Sequence, residues 1–328
     1  MVTQAQIAEK LGVSRQLVTF ALSGHPHVAK ESRELIIATA NEMGYRPNPF
    51  ARALKRKRTG IVALWIPDQI STHYNHVARE LGRLVKQDAQ ELIVSEIGGA
   101  DMNQIWSNVP VDGILAVDAS EEAFRELESL AGNSAPIVSI GAHASAKTDS
   151  VRVDLGAGAT SALKHLIGSG YKRIAHATFV SEGDPHGNRR KAYAKAMRDA
   201  GLAPEFIQYP FSEKQRSITR SLIQGYIAEN GAPEAIFCHS DDVALGIYRG
   251  LCDMGIRVPG QVALVGCDGI EDCEYLEVPL TTIVQPVAEM CATAWEYLKA
   301  RIENPKRKPA YKTLLPALVI RQSSQRTS

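Results

Sequence analysis

The sequence predicts two architectures in series: an all-α helix-turn-helix head at the N-terminus, then a larger α/β core of two parallel-sheet lobes. Three observations carry this expectation. At 328 residues the chain has room for two or three ordinary structural units. Up to about residue 46 the apolar positions recur at helical spacing, whereas after residue 60 short β-branched runs alternate with amphipathic helical segments. That alternation produces parallel strands joined by helical crossovers. Charge divides at the same place: residues 1–60 hold ten Lys/Arg against four acids, a balance of +6, while residues 61–328 carry −5 and the whole chain +1. A small basic head on a mildly acidic body points to a polyanion-binding module attached to a second unit.

Composition narrows the function classes. Hydrophobic residues make up 45% and charged residues 22%, which is globular composition. No apolar run approaches the ~18 residues needed to cross a bilayer, so no integral membrane protein is expected. The start, MVTQAQIAEKLGVS, lacks a basic segment followed by an apolar stretch, so no secretory signal is expected and the chain is placed in the cytoplasm. Five cysteines (Cys238, Cys252, Cys267, Cys273 and Cys291), an odd number without CxxC spacing, fit reduced thiols rather than a disulfide frame or a zinc site.

The head is assigned to residues 1–46. Thr3 with Gln6 three residues later forms a capping-box start for a helix running to about Lys10. Gly12 supplies the turn, because positive φ costs glycine nothing. Ser14 can cap a second helix, with Arg15, Gln16 and Thr19 on one side and Val18, Ala21 and Leu22 on the other. A third helix, about 30–43, is expected to bury Leu35, Ile36, Ala40 and Met43 and to stop at Gly44. Two short helices around a tight turn match the fold that lays a recognition helix in the major groove. The spacing alone also fits a plain three-helix bundle with a solvated polar face; the +6 charge favours DNA.

Residues 47–59, PNPFARALKRKRT, form the junction. Asn48 can cap a helix and Pro49 suits its first position. The segment would extend only to about Leu54 or Lys55, far short of the ~12–15 residues at which isolated helices become marginal. It should therefore need a packing partner. Beyond it, strands are expected at 60–66, 91–97, 113–117, 136–141, 173–179, 235–240 and 262–267, with helices such as 75–87, 156–168, 187–201 and 242–255. About 260 residues of this pattern exceed one comfortable sheet, hence two lobes.

The stretch QIAEKLGVSRQLVTFALSG, then VAKESRELIIATANEMGYRPNPFARAL, resembles the DNA-binding head of the LacI/GalR (lactose-repressor) family of bacterial transcription regulators. The resemblance implies DNA contacts from Thr3, Ser14, Arg15, Gln16, Thr19 and Phe20 in the head, and from Asn48, Ala51, Leu54 and Lys55 in the hinge. Arginine can hold guanine O6/N7 bidentately and glutamine can pair with adenine. By the same resemblance, paired hinge helices from two subunits enter the minor groove, Leu54 wedges between base steps and Lys55 meets phosphate. By itself, Lys55-Arg56-Lys57-Arg58 also reads as a solvated linker. Two positions depart from the family: Phe20 stands where an arginine is common, and Ala29 occupies a helix N-cap where serine is favoured.

Residues 60–328 resemble the regulatory core of the same family, which shares its fold with periplasmic sugar-binding proteins. The landmarks are VDGILAV (111–117), GATSALKHLIGSGYKRIAH (158–176), HSDDVALG (239–246), VALVGCDGIEDCEYLEVPLTTI (262–283) and LLPALVIRQS (314–323). The resemblance implies three crossings between lobes, one lobe holding about 60–152 and 286–312, the other about 153–285 and 313–322. It also implies an effector site in the crevice between them. Asp241 and Asp268 each follow an apolar strand there, Arg189 occupies the family's ligand-binding arginine position, Phe211 the position of a stacking aromatic, and Tyr74 lines the cleft from the other lobe. The bland alternatives are helix capping for the two aspartates and simple packing for Phe211 and Tyr74. Where the family often carries an aromatic after LTTI, this chain has Val284-Gln285-Pro286-Val287, and Ser240 replaces a common asparagine.

Other chemistries find little footing. GAGATS (156–161) matches a dinucleotide-binding turn poorly, since Ser161 replaces the third glycine. There is no GxxxxGK[ST] or GxSxG motif. His73 and His76 are three apart without an evident third metal ligand, and His25 and His27 read as loop residues. The expectation is a non-enzyme without cofactor or metal: an effector-responsive repressor of a carbohydrate-related operon. It would bind a near-palindromic operator as a homodimer and respond to a sugar, polyol or nucleoside. With no leucine-heptad tail after VIRQS, a dimer is preferred to a tetramer. The rival is a cytosolic sugar-binding protein or sugar-processing enzyme with the same core, which the head opposes.

Overall fold

A computed structural model of the chain describes residues 2–45, 58–96, 110–119, 123–125, 129, 135–141, 148–179, 187–210, 212 and 214–326. It divides into two compact units, Met1–Thr59 and Gly60–Ser328.

The head is built from α1 (Gln4–Leu11), α2 (Arg15–Leu22) and α3 (Lys30–Glu42). The capping box at α1 is formed: Gln6 N donates to Thr3 Oγ1 at 3.4 Å, and Thr3 N to Gln6 Oε1 at 2.9 Å. Gly12 terminates the helix at φ +65°. Ser14 caps α2 by accepting from Leu17 N at 3.1 Å. Ile7, Val18, Ala21, Val28, Ile36 and Ala40 close a small apolar core. One expectation needs correction: Leu35 is 59% exposed, and Thr39 is buried on that face in its place. Residues 36, 39 and 40 form the inward stripe of α3, and position 35 lies a turn-third outside it.

Among the described residues, the second unit contains two six-stranded sheets. The first has the order β11 (Tyr311–Leu314), β5 (Asp149–Val153), β4 (Ile137–Ile140), β3 (Gly113–Val117), β1 (Ile61–Ile66), β2 (Glu91–Glu96), all parallel. The second runs β12 (Ala317–Val319), β10 (Thr281–Val284), β9 (Ala263–Asp268), β8 (Ala235–Cys238), β6 (Ile174–Phe179), β7 (Glu205–Tyr209). Strand β12 is antiparallel to β10, and the other pairings of this sheet among the described residues are parallel. Helices α4 (Thr72–Gln87) and α9 (Val287–Glu303) pack on the first sheet around Val77, Leu81, Trp295 and Leu298. Helices α5 (Leu155–Gly168), α6 (Gly187–Asp199), α7 (Gln215–Asn230) and α8 (Asp241–Asp253) flank the second. Fully apolar strands such as GILAV, buried at every position, are what a parallel sheet covered on both faces requires.

The chain passes between sheets after β5, after β10 and after β11. The third passage follows Leu314, two residues beyond the expected 312, because β11 pairs with β5 through Leu314↔Val153. Helix α4 begins at Thr72, three residues before the expected 75, and α8 ends at Asp253 rather than 255. Both sheets reverse their winding direction internally, the first between β1 and β3, the second between β6 and β8. The carboxyl ends of strands flanking such a reversal leave a crevice.

Candidate functional site

In the head, the sequence of α2 places Arg15 and Gln16 in its exposed first turn, next to the exposed cap Ser14 and on the same unit as exposed Thr3. Thr19 is half-buried and donates to Gln4 Oε1 at 2.8 Å, tying α2 to α1. Phe20, also half-buried, stacks on His25 with centroids 4.5 Å apart and joins the rim of the head core. Arg33 braces that turn, its Nη2 donating to His25 O at 2.6 Å. The polar first turn is thus presented while the next turn is held inward. Asn48, Ala51, Leu54 and Lys55 lie outside the described residues.

In the core, polar groups from both lobes gather at the carboxyl ends of the strands. From the first lobe, Tyr74 in the opening turn of α4 donates its hydroxyl to Asp118 Oδ2 at 3.2 Å. Asp118 directly follows β3 at φ +45°, an uncommon conformation for a residue with a side chain. Its carboxylate needs the glycine beside it: a Cβ on Gly141 would lie 1.9 Å from Asp118 Oδ1. Burial, and then the Asp118 charge, push the Tyr74 hydroxyl well above the ordinary tyrosine range, so it stays a donor.

From the second lobe, Arg189 on α6 is only 3% exposed. It donates from Nη1 to His239 O at 2.8 Å and from Nη2 to His239 Nε2 at 2.6 Å. A guanidinium has no acceptor, so His239 must offer a lone pair at Nε2 and is neutral in this contact. Arg189 Nε is buried and has no partner among the described residues. Burial opposes its charge, but Cys267, Asp268 and Asp118 more than offset this and hold the guanidinium protonated. Asp268 ends β9 at φ +129°, accepting from Gln285 Nε2 at 2.8 Å through Oδ1. Its Oδ2 makes no hydrogen bond among the described residues. Burial raises the Asp268 carboxyl, and Arg189 and Gln285 pull it back.

Gln285 joins the lobes. Its Nε2 also approaches His73 Nε2 on α4 at 3.4 Å. Burial lowers the His73 imidazolium and favours the neutral ring. The polar Gln285 thus forms a bridge from Asp268 to the first lobe.

Asp241 has a different employment. It is fully buried and accepts from Gly269 N at 2.6 Å, Ile270 N at 2.9 Å and Thr282 Oγ1 at 2.6 Å. Gly266 makes room for it, since a Cβ there would come 2.1 Å from Asp241 Oδ1. Both oxygens are engaged by the protein, fixing the turn that carries Asp268. Burial, and the Asp268 charge beside it, raise the Asp241 carboxyl. Ser240 caps α8, its hydroxyl accepting from Val243 N at 3.3 Å. The structure thus brings Tyr74, Arg189 and Asp268 together and sets Asp241 behind them; Phe211 lies outside the described residues.

Sequence reasoning missed Asp118, His239 and Phe179. Phe179 ends β6 and meets the His239 ring edge-on at 4.5 Å. The usable signal was common to all: each ends or directly follows an apolar strand beside a winding reversal.

The sequence pattern of bacterial regulatory proteins of the lacI family matches residues 4–48, and that of a periplasmic binding protein-like domain matches 163–324. Residues 4–48 are a lacI-family helix-turn-helix, and residues 163–324 belong to a periplasmic-binding-protein-like domain. Among curated lacI-type relatives, it is 28% identical to the ribose operon repressor of Haemophilus influenzae over 98% of both chains. It is 28% identical to catabolite control protein A of Priestia megaterium over 90% of this chain and 91% of that one. The transcriptional repressor PurR of Vibrio vulnificus is 27% identical over 98% of each. Among solved structures, the lac repressor dimer bound to operator and the anti-inducer ONPF superposes with a TM-score of 0.84 at 21% identity, covering 98% of this chain and 99% of that one. A CelR–cellobiose complex gives 0.71 at 23%, covering 98% and 100%. The lac repressor likeness shows the same fold over the 98% of the chain that it covers.

Proposed function

We propose that the chain is an effector-responsive, sequence-specific DNA-binding transcriptional repressor of a carbohydrate-related operon, acting as a cytoplasmic homodimer on a near-palindromic operator and performing no catalysis. The observation that carries this reading is the joining, in one chain, of a lacI-family helix-turn-helix with an exposed Arg15-Gln16 turn to a two-lobed core with converging polar groups. Arg15 and Gln16 read base edges in the major groove. Ser14 and Thr3, at helix N-termini, meet phosphate. Thr19 and Phe20 shape the same surface, and the hinge residues Asn48, Ala51, Leu54 and Lys55 engage the minor groove. Two-fold symmetry of the protein then demands matching symmetry in the DNA.

In the core, Asp268 and Asp118 accept from hydroxyls of the effector, Arg189 contributes Nε, and Tyr74 and Phe211 cover it, with Asp241 holding the frame. Sugars, polyols and nucleosides supply the paired donors that two carboxylates select. Among the described residues no helix is long and apolar enough to cross a membrane, and no group of three or more His, Cys, Asp or Glu could hold a metal.

A gel shift on DNA upstream of the protein's own gene, repeated across salt, tests the DNA arm. Affinity should fall steeply as salt rises, since phosphate neutralisation releases counterions; failure to bind any duplex at low ionic strength overturns the reading. Thermal shift against ribose, lactose, cellobiose and adenosine tests the effector arm, because a ligand of the native state raises its stability. Asp268→Ala should abolish that shift while DNA binding survives.

A further inference from the structure

Outside the proposed effector contacts, one cluster links the lobes through helix ends. Helix α4 of the first lobe starts at Thr72, and Ser71 at its N-cap makes no side-chain capping bond. The Thr72 amide finds its acceptor in the other lobe, donating to Asp242 Oδ2 at 3.2 Å. Thr72 Oγ1 lies 3.4 Å from Asp242 Oδ1. Arg216, in the first turn of α7, closes the cluster: Nε donates to Asp242 Oδ1 at 2.8 Å and Nη2 to Thr72 Oγ1 at 2.9 Å. Asp242 itself stands in the first turn of α8.

Helix N-termini carry partial positive charge, and their first amides need acceptors. Here the opening turns of α4, α7 and α8 meet, one from the first lobe and two from the second, together with a guanidinium. Without a negative charge between them these ends would repel, and the Thr72 amide would lose its side-chain acceptor. Asp242, whose side chain is 11% exposed, supplies that charge at the centre of the cluster, with Asp272 Oδ1 farther out, 3.6 Å from Arg216 Nη2. Capping is ordinarily local, from the residue just before the helix; this cap comes from 170 positions away in the chain.

We propose that Asp242, held by Arg216, is a latch that caps α4 across the cleft and keeps the lobes bridged before any effector arrives. His73 and Tyr74 follow Thr72 on the same turn, so the latch also sets where Tyr74 stands relative to Asp268. The effector thus meets a cleft already biased towards closure, and only its differential affinity for the bridged form moves the equilibrium further. Arg216 also lines an open groove of about 900 Å³ beside Tyr248 and Tyr275, so solvent reaches the guanidinium and the latch can release. This concerns the same cleft as the proposed effector site, but its test needs neither effector nor DNA, so the two readings fail separately.

The test is pulsed dipolar electron paramagnetic resonance on the full chain. Spin labels go at Lys86→Cys in the first lobe and Glu229→Cys in the second, in a Cys252→Ser background, with labelled chains diluted into unlabelled ones. The otherwise unaltered protein should give one dominant, short interlobe distance. Asp242→Ala should lower the ratio of bridged to open molecules about tenfold, the size of one lost side-chain cap, and reveal a longer-distance population. Asp242→Asn, which keeps an acceptor and loses the charge, should fall between. Should Asp242→Ala fail to fold, Asp242→Asn and Thr72→Ala carry the measurement. Distance distributions unchanged in the folded variants would overturn the proposal.

Discussion

His176 lies in the middle of β6 with no exposed surface, stacked on Phe237 at 4.8 Å. Its Nδ1 donates to the Phe237 carbonyl at 2.9 Å, which fixes the neutral tautomer, while Nε2 has no partner among the described residues. Burial pushes its pKa down from 6.5 to about 3, only partly opposed by that carbonyl. In the unfolded chain the ring binds a proton below about pH 6.5, whereas the folded ring does not until about pH 3. The unfolded state therefore holds more protons between these values, and stability must fall as pH drops through that window. Between about pH 7 and pH 5 the loss from this residue should be about 2 kcal/mol. Chemical unfolding at both values should show His176→Phe losing less stability than the parent; equal losses would mean that the ring is not held neutral. At this same scale, Asp118 and Asp268 show how a strand end prepares a carboxylate: both sit at positive φ, with Gly141 clearing space for Asp118.

Elements in this chain depend on their ends. Helix α2 is capped by Ser14 and α8 by Ser240, but α3 begins at Ala29 without any side-chain cap. Ala29 already has φ −54° and ψ 142°, an extended cap conformation in which a serine oxygen could accept from the first-turn amides. Ala29→Ser should therefore stabilise the head by about 1 kcal/mol, and Ser14→Ala should destabilise it by a similar amount. For a unit of this size that is a shift of about 4–8 °C in opposite directions, read as the head's transition in calorimetry of the full chain. An unmoved transition in Ala29→Ser would show that α3 is satisfied by other means. Helix α4 takes the third route, with a cap from outside its own lobe.

At the scale of the molecule, residues 47–59 join the head to the core, and the helix that Pro49 would start there, ending at about Leu54 or Lys55, is too short to be stable alone. If Leu54 wedges between base steps, its removal should affect the operator complex and spare the phosphate-dominated one. Leu54→Ala is accordingly expected to weaken operator binding far more than binding to random duplex, measured by fluorescence anisotropy at matched salt. Equal losses on the two duplexes would remove the wedge role. The lobes contribute through their three connecting passages: an effector between them can change DNA affinity only by the free energy with which it distinguishes their arrangements.

Much of this was legible without coordinates, because local physics writes it into local patterns. The Thr3–Gln6 box, Gly12, Ser14, the all-apolar GILAV and VALVGC runs and the alternation of strand with helix each act within a few residues, so spacing and residue type suffice. Tyr74, Arg189 and Asp268 could be proposed for one cleft by resemblance. What the sequence could not decide is how residues distant in the chain divide their work once folded. Asp241 and Asp242 are neighbours in one motif, yet the first is consumed by Gly269, Ile270 and Thr282, and the second reaches Thr72 in the other lobe. Leu35 and Thr39 exchange burial for a similar reason, since the facing surface decides which stripe of α3 points inward. A carboxylate's partners are set by which backbone and side-chain donors the two sheets bring within hydrogen-bonding distance, and that is a property of the packed molecule alone.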